Sequence, residues 1–180
     1  MRKTIHLTHG AMTVALTGII LLMDRLFMGF FMPFLALPLI VYGTYYSLEE
    51  SYLVAISNVL IAIILSGMLP TVITSIGYSI VGLSYIYAYK KGYSKKRYYL
   101  IMSIFMSLFY AVMVLFFGEY FGIDIRESIE VISGFVKFLN PIIIKILAYL
   151  SVVLTMLMEV FIVKVSADMI IYLLHRHRNA

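Results

Sequence analysis

The chain has 180 residues, of which 63% are hydrophobic and 13% are charged, and it carries a formal net charge of +5. Its mean hydropathy is +1.01. A water-soluble domain of this length cannot bury so large an apolar share in one core, so we predict an integral membrane protein that contacts the lipid bilayer. The absence of cysteine excludes disulfides, thiolate catalysis and cysteine-ligated metals. The basic residues fall between apolar stretches, which gives no reason to expect a nucleic-acid partner.

Six apolar stretches are candidates for transmembrane helices, because a helix needs about 20 residues to cross about 30 Å of hydrocarbon. The first is predicted to be a span rather than a cleavable signal peptide, since no small-residue cleavage site follows it. The runs are continuous, unlike the alternating pattern of β-barrel strands. We therefore predict one all-α domain over residues 1–180, with spans at about 7–23, 33–47, 51–68, 70–89, 98–118 and 141–174.

The second and third spans are short and are separated only by Ser47, Leu48, Glu49 and Glu50. So tight a polar turn between two apolar runs predicts an antiparallel helical hairpin.

Lysine and arginine collect on one side of the membrane if all six stretches cross it. Cytoplasmic loops carry an excess of these residues, so both termini are predicted to lie in the cytoplasm. The residues on that side are Arg2, Lys3, Lys90, Lys91, Lys95, Lys96, Arg97, Arg176 and Arg178, against Arg25, Arg126, Lys137 and Lys145 on the other.

Small residues recur on one face of the first span, at Thr8, Ala11, Ala15 and Gly18. Helices in lipid associate mainly through close packing, and small side chains let a second helix approach closely. The face is therefore either an internal contact with a neighbouring span or a docking surface for another protein.

With this motif the sequence resembles the substrate-binding S-components of energy-coupling-factor vitamin transporters. The resemblance rests on Ala11-x-x-x-Ala15, on the loop after the first span, on the stretch FLALPLIVYGTYYSLEESYLVAISNVLIAIILSG, and on six spans in about 180 residues. It implies a prokaryotic plasma-membrane protein that binds a water-soluble vitamin or related micronutrient. It also implies that Ala11 and Ala15, with Gly18 on the same face, dock against a transmembrane coupling protein driven by two cytoplasmic ATPases.

The chain lacks the motifs that would make it a motor or a recognised enzyme. No G-x-x-x-x-G-K-[ST] sequence is present, so any ATP-driven cycle must use a partner's ATP site. HExxH is also absent. Glu49 and Glu50 lack the arginine and the histidine-bearing helices of membrane CAAX-type proteases. We predict that the chain is not an enzyme and that it carries no cofactor or metal.

Candidate substrate-binding residues lie toward the predicted outer half of the later spans. Ser75 and Tyr78 share a face of the fourth span, Tyr110 lies in the fifth, and Lys145 and Tyr149 lie in the sixth. Aromatic walls with a few polar groups suit a small ring-containing solute. The hydroxyls could equally bond across helices, and Lys145 could extend to the interface instead of contacting substrate.

Glu159 lies well inside the sixth span, where an ionisable side chain normally faces protein or a cavity. Pairing with Lys164 or with a partner subunit is the alternative to substrate contact.

The predicted outer loops are candidates for a lid over the site. By resemblance of position, the first loop places Asp24, Arg25, Phe27 and Phe30 near a bound solute, and the charged amphipathic stretch 123–139 is a second candidate. The alternative for each is an ordinary solvated loop.

Two functional classes remain open at this stage. One is the substrate-binding subunit of an ATP-driven importer. The other is a structural or regulatory membrane protein that assembles through the small-residue face and carries no solute.

Overall fold

The structure is a computed structural model that describes residues 2–27, 29–118, 125–135 and 140–178. Within these ranges every regular element is helical, which confirms the predicted all-α class. In chain order the elements are α1 (Arg2–Leu26), a 3-10 helix (Met32–Ala36), α2 (Leu37–Tyr45), α3 (Leu48–Ser66), α4 (Leu69–Lys90), α5 (Lys95–Phe117), α6 (Ile125–Phe135) and α7 (Pro141–Arg178).

Five helices in the described part of the chain are long and apolar enough to cross a membrane, namely α1, α3, α4, α5 and α7. The chain is therefore a membrane-embedded helical protein. The predicted second span corresponds to the 3-10 helix and α2 together, Met32–Tyr45. At 2.0 and 1.5 Å per residue this segment is about 24 Å long, less than the hydrocarbon thickness of about 30 Å. A total of six spans thus stays a prediction.

Two prolines explain why the short segment is built from two helices. Pro33 and Pro38 each occupy one of the first two positions of their helix. Proline lacks an N–H donor and is tolerated at those positions but not in a helix interior. The segment therefore starts as a 3-10 helix and restarts as α2 at the second proline.

The predicted hairpin between the second and third spans is present, with a turn of only two residues between α2 and α3. Ser47 caps α3 in a capping box: its side chain accepts a hydrogen bond from the Glu50 N–H, and the Glu50 carboxylate accepts one from the Ser47 N–H. Glu49 and Glu50 thus lie in the first turn of α3, where negative charge is favourable.

Contacts between helix ends define one side of the bundle, which we call the basic side. His6 Nδ1 of α1 lies 2.7 Å from the Glu50 carboxylate of α3, and Lys90 at the end of α4 donates to the Tyr46 carbonyl after α2. The basic residues at the helix ends on this side are Lys90, Lys91, Lys95, Lys96, Arg97 and Arg176. The positive-inside rule predicts that this side is cytoplasmic.

The most buried of the five long helices is α4, which packs against α2, α3 and α5. Two of its contacts rely on glycine. A Cβ atom on Gly77 of α4 would lie 2.3 Å from the Phe109 ring of α5, and one on Gly43 of α2 would lie 2.2 Å from Cδ1 of Ile86 on α4. The close approach of these helices therefore requires the absence of a side chain at both positions.

We expect Gly43→Ala to destabilise the bundle. Ile86 is completely buried, and its branched side chain has few rotamers with which to avoid the added methyl group. Overpacking of this kind costs about 1–3 kcal/mol of unfolding free energy. Unfolding in detergent micelles by increasing dodecyl sulfate, followed by circular dichroism, measures the loss.

The matched control is Gly134→Ala on α6, because a Cβ atom there would have no neighbour within 4 Å. Its stability should be at least that of the wild type, because alanine has a higher helix propensity than glycine. If Gly43→Ala were as stable as this control, the close packing of α2 on α4 would be contradicted. In an Ile86→Ala background, Gly43→Ala should cost less stability than in the wild type, because the shorter side chain makes room for the methyl group.

Candidate functional site

Three helices bring polar side chains together in the interior of the bundle. Tyr78 of α4 donates a hydrogen bond of 2.7 Å to Oε2 of Glu159 on α7. The hydroxyl of Tyr110 on α5 lies beside the same carboxylate. Both tyrosines are almost completely buried, at 2% and 7% exposure. The glutamate is thus held among tyrosine hydroxyls and apolar core residues.

Lys164 does not pair with Glu159, although the sequence suggested it as one possible partner. Its ammonium group pairs instead with Asp168, four residues further along α7. Side chains four residues apart lie on the same face of a helix, whereas side chains five apart diverge. Glu159 therefore depends on the tyrosines of α4 and α5.

Asp24 near the end of α1 is a further acidic side chain at this site. It is 9% exposed and accepts a hydrogen bond of 2.9 Å from the Phe31 N–H. Its carboxylate lies near enough to Tyr78 for an electrostatic interaction. We call Tyr78, Tyr110 and Glu159, which are joined through the Glu159 carboxylate, the acidic tyrosine cluster, and Asp24 lies at its edge.

The loop after α1 folds back toward this cluster. The hydrogen bond from Phe31 to Asp24 closes the turn, and Gly29 adopts a positive φ of 91° that favours glycine. The rings of Phe27 and Phe30 each pack edge-to-face on Phe31. Phe30 itself is 71% exposed, so it is part of an aromatic surface at the end of the bundle rather than a group inside it.

Arg25 points away from the acidic tyrosine cluster. Its guanidinium group donates to the carbonyls of Leu65 at 3.5 Å and Ser66 at 3.2 Å. These carbonyls are at the C-terminus of α3, where a positive charge interacts favourably with the helix dipole. In this structure Arg25 ties α1 to α3.

Ser75 lies one turn from Tyr78 and belongs to a neighbouring polar contact. Its hydroxyl donates to the backbone carbonyl of Asn58 on α3 at 3.2 Å, in a fully buried position. The side-chain oxygen of Asn58 has no hydrogen-bond donor among the described residues. An unpaired buried acceptor costs about 1–3 kcal/mol of folding free energy. The sequence alone did not single out Asn58.

Lys145 and Tyr149 are not brought to the acidic tyrosine cluster. Both are exposed, and they lie fourteen and ten residues before Glu159 on the same helix, about 21 and 15 Å along its axis. Because Lys145 is exposed, its ammonium group can extend to the membrane interface.

The second candidate lid, the stretch 123–139, lies partly outside the described residues. The described part is α6 (Ile125–Phe135), an amphipathic helix that packs against α7. It lies on the side of the bundle opposite the basic side, because α5 ends and α7 begins there.

The small residues of α1 divide between an internal and an external role. Gly18 is buried against α3, where an added Cβ atom would lie 3.3 Å from Cδ1 of Leu65. Ala11 and Ala15 are exposed. Thr8, the first member of the face, is also exposed and donates to its own helix.

Two open grooves flank the exposed alanines. The groove between α1 and α3 has a volume of about 660 Å³ and is lined by Ala11 and Ala15. The groove between α1 and α2 has a volume of about 1010 Å³ and is lined by Ala15 but not by Ala11. Ala15 therefore lies on a low ridge between two apolar grooves.

Comparisons with protein-family models, with curated proteins and with solved structures found no match to this chain. Among the described residues, no three histidine, aspartate or glutamate side chains converge to hold a metal ion.

Proposed function

We propose that this chain is the substrate-binding subunit of an ATP-driven importer of the energy-coupling-factor type, in the plasma membrane of a prokaryote. It binds a water-soluble vitamin or related micronutrient on the side opposite the basic side. The acidic tyrosine cluster is the observation that carries the proposal.

The cluster has the chemistry of a small-molecule site within a membrane protein. An ionisable side chain inside a span is energetically expensive, and such groups usually serve substrate or ion binding. Glu159 supplies hydrogen-bond acceptors, while Tyr78 and Tyr110 supply hydroxyls and aromatic surface. Ligand sites typically combine apolar walls with a few polar groups of this kind.

The exposed alanines support the proposed mode of coupling. A chain without a nucleotide-binding motif depends on other subunits for ATP hydrolysis. Ala11 and Ala15 would let a helix of a coupling protein approach α1 closely, in the grooves that flank it. The proposed partners are one transmembrane coupling protein and two cytoplasmic ATPases, and this chain itself performs no catalysis.

Purification of the tagged chain in mild detergent from its own organism tests this proposal. The transmembrane coupling protein and two ATPases with P-loop motifs should co-purify. The chain alone, reconstituted in vesicles, should bind solute without hydrolysing ATP. Recovery of the chain without any ATPase, from membranes that contain the importer's motor, would contradict the proposal.

A structural or regulatory role is the second candidate, and one contact favours it. The hydrogen bond from Tyr78 to Glu159 joins α4 to α7, so it can serve as a link between helices without any ligand. In that case the exposed face of Ala11 and Ala15 assembles a complex that carries no solute. Purification should then yield a partner protein but neither ATPases nor a retained small molecule.

A further inference from the structure

Besides the two grooves beside α1, a pocket of about 420 Å³ lies between α4, α5 and α7 toward the basic side. It is distinct from the acidic tyrosine cluster, since none of the cluster residues lines it. Its walls are largely aromatic, and its charged side chains come from α5 and α7. The lining side chains include Tyr85, Lys95, Tyr98, Lys164, Asp168 and Tyr172.

Lys164 supplies a buried positive charge to this pocket. The residue is only 4% exposed, and its ammonium group pairs with one oxygen of Asp168. The other oxygen of Asp168 accepts a hydrogen bond of 2.7 Å from the Tyr85 hydroxyl. Lys164 also lies 5.4 Å from the ring centroid of Tyr98 and 5.2 Å from that of Tyr99. Because an ammonium group has three donors, Lys164 can bind another acceptor without releasing Asp168.

Lys95 adds a second positive charge at the mouth of the pocket. It is the first residue of α5, it is exposed, and it forms no ion pair with any described residue. Ser94, the residue that precedes α5, makes no capping hydrogen bond with its side chain. The N-terminal turn of a helix attracts anions through its free N–H groups and its dipole. The two lysines therefore outweigh the single carboxylate of Asp168.

We propose that this pocket binds a phosphate group, presented by the headgroup of an anionic lipid in the leaflet on the basic side. Basic pockets between transmembrane helices on the cytoplasmic side suit such headgroups. The hydroxyls of Tyr98 and Tyr172 can donate hydrogen bonds to phosphate oxygens, whereas that of Tyr85 already donates to Asp168. Next to the pocket, α7 exposes Val165, Met169 and Tyr172, an apolar surface along which acyl chains can lie.

Titration of the delipidated protein with phosphatidylglycerol and with phosphatidylcholine of the same acyl chains tests the proposal by native mass spectrometry. We expect tighter binding of phosphatidylglycerol. Lys95→Gln should weaken it about fivefold, the effect expected from one lysine near a membrane surface. Lys96→Gln is the matched control, because Lys96 is exposed on the same turn but does not line the pocket.

Lys164→Met should abolish the preference for phosphatidylglycerol, but replacement of a buried residue can also reduce folding. The exposed Lys95 therefore gives the decisive comparison. Equal effects of Lys95→Gln and Lys96→Gln, or no effect of either, would overturn the pocket as the site. Equal binding of phosphatidylglycerol and phosphatidylcholine would overturn the proposal as well.

A further titration with glycerol phosphate separates the two possible sources of the phosphate. Weak binding that competes with phosphatidylglycerol and depends on Lys95 supports the lipid assignment. Lys95-dependent binding of glycerol phosphate with no preference between the lipids would overturn the lipid source and assign the site to a soluble phosphate ester.

Discussion

Replacement of both Ala11 and Ala15 by leucine should abolish ATP-driven uptake while leaving solute binding to the isolated subunit intact. Both alanines are exposed and line the groove between α1 and α3. Leucine side chains there would prevent a partner helix from approaching closely. The substituted positions are remote from the acidic tyrosine cluster, since Ala15 lies nine residues before Asp24, about 14 Å along α1. Uptake in whole cells and co-purification of the coupling module are the two measurements.

Ala111 on α5 provides the matched control, because it is another exposed alanine on a long apolar helix. Ala111→Leu should leave both uptake and co-purification at the wild-type level. Gly18→Leu should instead lower the yield of folded protein, since Gly18 is packed against α3. Wild-type uptake by the double alanine variant would show that this face does not dock the motor.

Replacement of Glu159 by glutamine should weaken solute binding by at least about tenfold. Glutamine keeps the shape of the side chain and can still accept a hydrogen bond from Tyr78, so the bundle should remain folded. The carboxylate charge is lost, however, and hydrogen bonds to charged groups are worth about 1.5–3 kcal/mol. Tyr110→Phe removes a hydroxyl beside this carboxylate and should also weaken solute binding. The amount of small molecule retained per folded chain is the readout.

Lys145→Met is the control for this experiment. Lys145 is ionisable and lies on the same helix, but it is exposed and about 21 Å from Glu159 along the axis. It should retain as much solute as the wild type, with the same elution volume in size-exclusion chromatography. Wild-type retention by Glu159→Gln together with loss in Lys145→Met would move the site to the outer part of α7.

The helical class and the approximate positions of the long helices could be predicted from the sequence. A continuous apolar run predicts a helix, because the backbone of a chain in lipid must satisfy its own hydrogen bonds. The hairpin before α3 was also predicted, but its turn was placed at Ser47–Glu50, whereas the capping box of Ser47 and Glu50 begins α3 already at Leu48. The sequence predicted that the segment Met32–Tyr45 is apolar, but it did not predict the division into two helices near Pro38.

The candidate site was predictable only in part. Tyr78 and Tyr110 were both proposed and lie in one cluster with Glu159, and Asp24, also proposed, lies at its edge. Lys145 was placed with them on depth alone. Its helix is apolar on all sides, so the sequence contains no strong signal for the face that points inward.

The partner of Lys164 could have been predicted from spacing. Asp168 lies four residues after it, whereas Glu159 lies five residues before it, and only the first spacing puts both side chains on one helix face. The division of the small residues of α1 could not have been predicted in the same way. Gly18 is packed against α3, whereas the groove between α1 and α3 is open at Ala15, and this difference depends on tertiary structure.

Mass spectrometry of small molecules extracted from the gently purified chain tests the central claim most directly. The chain should retain one water-soluble compound in equimolar amount, and the Glu159→Gln variant should retain much less of the same compound. Both proteins should bind lipids and detergent equally, so the difference between the two extracts reports only the solute. If the wild-type chain retained no water-soluble compound above the level found with Glu159→Gln, the proposal that it is a substrate-binding subunit with its site at this cluster would be contradicted.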